Sequence, residues 1–214
     1  MNVSYMRRAY EPSRERPLIA GAFHRDMPLH MPLAHIRRAF HGRKLQAALI
    51  GHPIFRLPHD VCASQPNESQ LAENFAYFQS QAVSRPHHLD FLLSQFEADA
   101  FDEASLDDWV ATFGQMLVPS VAQVNALQNG NIYWTGELAG LNVVLAIAIT
   151  LGDQAIGRGT RWRWEADAAA RGSNAMLVAG ERRCDLVKEV AVCCLNARRD
   201  GAGLGLLRAR LSAE

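Results

Sequence analysis

The stretch ELAGLNVVLAIAITLGDQAI, Glu137–Ile156, decides how this chain folds. Its few polar residues, Asn142, Thr150, Asp153 and Gln154 among them, are spaced so that an α-helix over it is apolar almost all round. Such a helix belongs at the centre of a bundle or beneath a sheet. Gly140 and Gly152 each weaken it by about 1 kcal/mol relative to alanine, and close packing against a neighbour is the expected compensation. Gly157 or Gly159 should end it. The purely apolar run Leu141–Leu151 is interrupted by Asn142 and Thr150, and falls short of the roughly 20 residues needed to cross a bilayer.

Downstream, Arg161–Glu165 reads Arg-Trp-Arg-Trp-Glu, a strand with Trp162 and Trp164 on one face and the charged residues on the other. Met176-Leu177-Val178 is a plausible partner strand, Leu186–Asn196 fits either strand or helix, and Leu206, Leu207 and Leu211 mark a terminal helix. Upstream, Ser105-Leu-Asp-Asp resembles a capping box. Trp109, Val110, Phe113, Met116, Leu117, Val121, Val124 and Leu127 follow on one broad face, with Pro119 predicting a kink or two abutting helices. Asn67 caps a further helix carrying Leu71, Phe75 and Phe78, predicted to run to about Val83. Ser84-Arg85-Pro86 predicts a break before a helix with Leu89, Leu92, Leu93 and Phe96. Leu33–Ile50 is one short helix among breaking prolines.

These elements give a mainly helical α+β domain over 66–214, helices packed on a small antiparallel sheet. Residues 1–65 form a basic N-terminal segment rich in proline and histidine, partly irregular. Over residues 1–60, ten Lys/Arg oppose four Asp/Glu, a surplus of six positive charges that the remaining chain balances. The compensating acidity concentrates in 67–108, where Arg85 is the one basic residue besides histidine. Zero net charge and scattered arginines give no nucleic-acid signature. Arginine outnumbers lysine twenty to two, which reads as a GC-rich, bacterial-type coding background. Cys62, Cys184, Cys193 and Cys194 form no CxxC unit and read as free thiols in a reducing compartment. Residues 1–17 have no apolar signal core, so a cytoplasmic location is expected.

Chemical motifs are sparse. All eight histidines lie within the first 88 residues, and no pair has the i, i+4 spacing of a helical metal site. No metal and no cofactor are expected. Gly201-Ala-Gly-Leu-Gly205 does not complete a dinucleotide fingerprint and reads as a connector. Asp153, on the most apolar helix, and Glu137, at its start, are the candidate acid–base pair of an enzyme pocket. The structural alternative for Asp153 is an ion pair with Arg158, Arg161 or Arg163.

Ala139-Gly140-Leu141-Asn142, Leu151-Gly152-Asp153 and Arg161–Glu165 together resemble an arrangement in small uncharacterised bacterial α/β proteins, some of them toxin-immunity proteins. The resemblance covers residues 138–165 and carries no catalytic residue. It implies a non-enzymatic interaction protein that neutralises a toxin partner; from the charge pattern and the short apolar run, neither nucleic acid nor membrane is expected as partner. The acidic helical surface, through Asp102, Glu103, Asp107 and Asp108, is the expected contact, because negative charge complements a basic toxin cleft.

Overall fold

A computed structural model describes residues 33–59, 65–130, 134–197 and 203–213, with backbone alone over 33–39. The chain divides into two units, residues 1–39 and 40–214. The second unit is a mainly helical α+β fold. Its elements are α1 (Leu33–Ile50, shared with the first unit), α2 (Glu68–Ser94), α3 (Glu103–Leu117), α4 (Val121–Gln128), α5 (Gly140–Gly157), β1 (Arg163–Ala166), β2 (Ala175–Ala179), β3 (Arg182–Cys184), α6 (Leu186–Asn196) and α7 (Gly203–Ser212).

Helix α5 occupies the centre, as its apolar circumference demands. Every residue from Gly140 to Gly152 is buried, and α2, α3, α6, α7 and β1 pack around it. With the turn before it, Gly136–Gly157 is 22 residues, so contrary to the sequence reading it is long and apolar enough by composition to cross a membrane, yet 78% of its most apolar stretch is buried inside the fold. The two costly glycines mark its closest approaches. A Cβ on Gly140 would lie 2.2 Å from the Leu117 carbonyl oxygen, and one on Gly152 would lie 2.4 Å from Trp164 Cζ2. Alanine would therefore force α3 or β1 away from α5.

The sheet is antiparallel in the order β1-β2-β3, with Trp164 opposite Leu177 and Leu177 opposite Cys184. Gly180, at φ +58°, opens the two-residue turn between β2 and β3, a conformation that costs glycine little. Both expected strands are present, and both tryptophans face inward. Trp162 is 5% exposed and donates from Nε1 to the Leu211 carbonyl at 2.8 Å. Trp164 packs edge-on against Phe78.

Several boundaries differ from the sequence reading. Helix α2 runs unbroken through Pro86. Proline removes one donor and disfavours the helix, but Phe78, Leu89, Leu92 and Leu93 on either side are buried along one face and hold it together. The cap of α3 is Asp102, whose carboxylate accepts from Ser105 N at 2.7 Å. Ser105 serves the preceding loop instead, accepting from Asp99 N. Pro119 does separate two helices, α3 and α4. Leu186–Asn196 is helical, capped by Asp185. Gly203 and Gly205 lie within α7 and not in a connector.

The folded unit also begins before residue 66. Leu45, Phe55 and Leu57 belong to its core. Prolines 53 and 58 deny the 51–59 segment a regular ladder, so two asparagines serve its backbone. Asn142 Oδ1 accepts from Phe55 N at 2.7 Å, and Asn74 Oδ1 accepts from His59 N at 2.9 Å. Asn142 also donates to the Trp134 and Ala139 carbonyls, and Asn74 to the His59 carbonyl and Asn174 Oδ1.

Candidate functional site

The acidic surface forms where the end of α2 turns into α3. Residues 65–108 hold nine Asp/Glu and one arginine, and that arginine, Arg85, is fully buried. The exterior of this region therefore carries no lysine or arginine charge. The four sequence-predicted contact acids fare differently. Asp102 is engaged as the α3 cap. Glu103 forms an ion pair with Arg158 at the end of α5. Asp107 pairs at 2.6 Å with Arg208 of α7, which is largely buried. Asp108 is exposed, and its carboxylate enters no ion pair among the described residues. Glu103 and Asp107 are thus fastenings of α3 onto α5 and α7.

Beside Asp108 lies a cleft of about 480 Å³ between α1, the end of α2 and α3. Its aromatic wall is Phe40, Phe96, Trp109 and Phe113, and Glu97 and Asp108 lie at its edge. Trp109 is 3% exposed and its Nε1 has no hydrogen-bond partner. Phe91 and Phe101 are exposed on the same acidic region. Aromatic surface beside two carboxylates suits a cationic side chain, through cation–π attraction and ion pairing together; Lys44 also lines the cleft, 4.8 Å over the Phe96 ring.

Asp153 and Glu137 do not meet. Glu137 lies exposed on the turn Gly136–Leu138 before α5, and Asp153 lies near that helix's far end. At 1.5 Å rise per residue they stand roughly 20 Å apart. The expected arginine partner of Asp153 is also absent among the described residues. Arg158 pairs with Glu103 and Arg163 with Glu165, while Asp153 accepts from Trp164 Nε1 at 3.3 Å. Burial raises its carboxyl above the usual range, and the indole bond opposes that shift.

A second polar centre, overlooked in the sequence, sits between α1, the 51–53 turn and α2. His52 is 7% exposed. Burial, with the nearby charges of Arg85 and His88, pushes it down to about 4, although it hydrogen-bonds the Asn142 backbone. It is therefore neutral at pH 7, and its Nε2 has no partner. Arg85 donates to the Pro53 and Asn142 carbonyls and to Gln81 Oε1, at 3.3 to 3.4 Å, and its guanidinium lies 5.3 Å from the Phe55 ring centre. Among the described residues no carboxylate neutralises it, and burial pushes it down to about 10. The signal was present as spacing. Gln81, Arg85, His88, Leu92 and Gln95 recur every three to four residues, one continuous face of α2.

The other chemical candidates are structural where they are described. His59 bonds Glu73 at 2.6 Å, and no three of His, Cys, Asp or Glu converge among the described residues. Cys184 and Cys193 are pushed up to about 11 by burial, and Cys194 higher still. All three are free thiols held far from the reactive thiolate. Cys62 lies outside the described residues. Comparison with protein-family models, curated proteins and solved structures finds no match to this chain.

Proposed function

We propose that this protein is a non-enzymatic, bacterial interaction protein that binds a basic protein partner through its acidic helical face, in the manner of an immunity protein neutralising a toxin. The observation that carries this reading is the aromatic cleft edged by Glu97 and Asp108, set in a surface from which the sole arginine of residues 65–108 has been withdrawn into the core. Exposed Phe91 and Phe101 extend it with apolar contact area. Aromatic anchors within a charged rim are the usual make-up of an interface hot spot. The contact set narrows to Glu97, Asp99, Asp102 and Asp108, because Glu103 and Asp107 are already neutralised within the chain.

The test is an affinity pull-down of the intact protein from its native lysate at low and high salt, with mass spectrometry. One stoichiometric basic partner, released by salt and lost on Asp99→Lys/Asp108→Lys, is the expected result. Rim-charge reversal of this kind should slow association and weaken binding by about tenfold or more. No partner, or binding indifferent to salt and to both substitutions, would overturn the proposal. The alternative, a small enzyme, retains one support in the raised carboxyl of Asp153. It no longer has Glu137 within reach as a second group.

A further inference from the structure

We infer that the cleft between α1 and α2 behind His52 is a binding site for a small organic monocarboxylate with an apolar body. The cleft holds about 330 Å³ and is lined by Lys44, His52 and His88, with Ala48, Phe91 and Leu92 among its apolar walls. That volume lies at the small end of the range for small-molecule sites.

The polar groups select the charge of the occupant. Lys44 faces the cleft from α1 and His88 from α2, with buried Arg85 behind His52. No carboxylate lines it among the described residues. Two histidines in one cavity would ordinarily suggest a divalent cation, but the uncompensated guanidinium beside them repels one. The same field attracts an anion, and more strongly at a partly desolvated site than in water. The Lys44 ammonium donates to the Gln95 carbonyl, which lines this cleft, and lies 4.8 Å over the Phe96 ring, which lines the neighbouring aromatic cleft. An ammonium has further donors to offer.

His52 supplies the specific contact. A buried ring nitrogen without a partner is uncommon, because it forfeits its hydrogen bonds to water and gains none in return. A carboxylate in the cleft offers Nε2 an acceptor once the ring takes one proton from solvent. The negative charge then offsets Arg85 and His88, which together with burial hold the free imidazole neutral. Binding therefore takes up a fraction of one proton, and the affinity rises as pH falls toward 5. The apolar walls favour an aromatic or aliphatic body over inorganic phosphate or acetate.

Benzoate, with benzamide as its neutral isostere, tests this by titration calorimetry on the full chain at pH 6 in two buffers of different ionisation enthalpy. Benzoate is expected to bind with net proton uptake, and benzamide about tenfold more weakly or worse. Lys44→Met and His88→Gln change exposed side chains, so each should weaken benzoate severalfold while leaving thermal unfolding unchanged. Equal binding of benzoate and benzamide would overturn the inference. So would no benzoate binding up to about 10 mM, or an affinity that neither substitution alters. A protein partner captured in the lysate has no bearing on these outcomes, so this site and the acidic face stand or fall separately.

Discussion

Acidification should unfold this protein partly through His52. In the unfolded chain its imidazole titrates near 6.5, and in the folded unit burial and the charges of Arg85 and His88 push it down to about 4. Between those values the unfolded state binds a proton that the folded state refuses. Stability is therefore greatest above 6.5 and falls as pH drops toward 4. At 1.36 kcal/mol per pH unit of difference, lowering the pH from 7 to 4.5 costs about 2 kcal/mol through this residue alone. That is a large share of the 5–15 kcal/mol typical of a domain. Asp153 and Asp185, both raised by burial, act in the opposite direction as they protonate, so the His52 contribution must be read as a difference. Urea denaturation of the wild type and of His52→Gln at several pH values between 7 and 4.5 supplies it. The variant begins less stable at pH 7 through its lost contacts, and the gap should close by about 2 kcal/mol at pH 4.5. Parallel stability curves would refute the reasoning. A folded-state imidazole already protonated at pH 5.5 by side-chain NMR would do the same.

Further outcomes follow from the packing of α5. Gly140→Ala should destabilise by about 3 kcal/mol, because the new methyl meets the backbone of Leu117. Gly152→Ala should cost less, about 1–2 kcal/mol, since it meets the half-exposed Trp164 ring. Gly157→Ala meets nothing within 4 Å, and should stabilise by about 0.5–1 kcal/mol. Denaturant midpoints of the three variants check this ordering. Asn142→Ala should cost about 2–3 kcal/mol by orphaning the buried Phe55 N–H and removing the Asn142 amide bond to the Trp134 carbonyl. Hydrogen exchange at Phe55 should then accelerate well beyond the change at α6 amides.

How legible the site was differed by residue type. The acids of 67–108 were visible as a run, because net charge is additive along a sequence. Which acids remained available was not visible, because Glu103 meets Arg158 and Asp107 meets Arg208 across 55 and 101 positions of chain. Asp153 stood out correctly as an acid on an apolar helix, but its partner is the indole of Trp164 and not an arginine. His52, Arg85 and Asn142 carry no motif. They become one centre only when α1, α2 and α5 converge.

The sequence by itself determined the elements that rest on local physics. The apolar circumference of α5 placed it centrally, the Arg-Trp alternation turned Trp164 of β1 and Trp162 just before it inward, and Pro119 parted α3 from α4. These follow from side-chain periodicity and backbone sterics within a few residues. The tertiary structure alone decided the continuity of α2 through Pro86, the helical state of Leu186–Asn196 and the inclusion of residues 40–59 in the folded unit. Each depends on energy gained from partners distant in sequence. Burial on both sides of Pro86 outweighs its local penalty. The amides of Asn74 and Asn142 satisfy a proline-broken backbone that could satisfy little of itself.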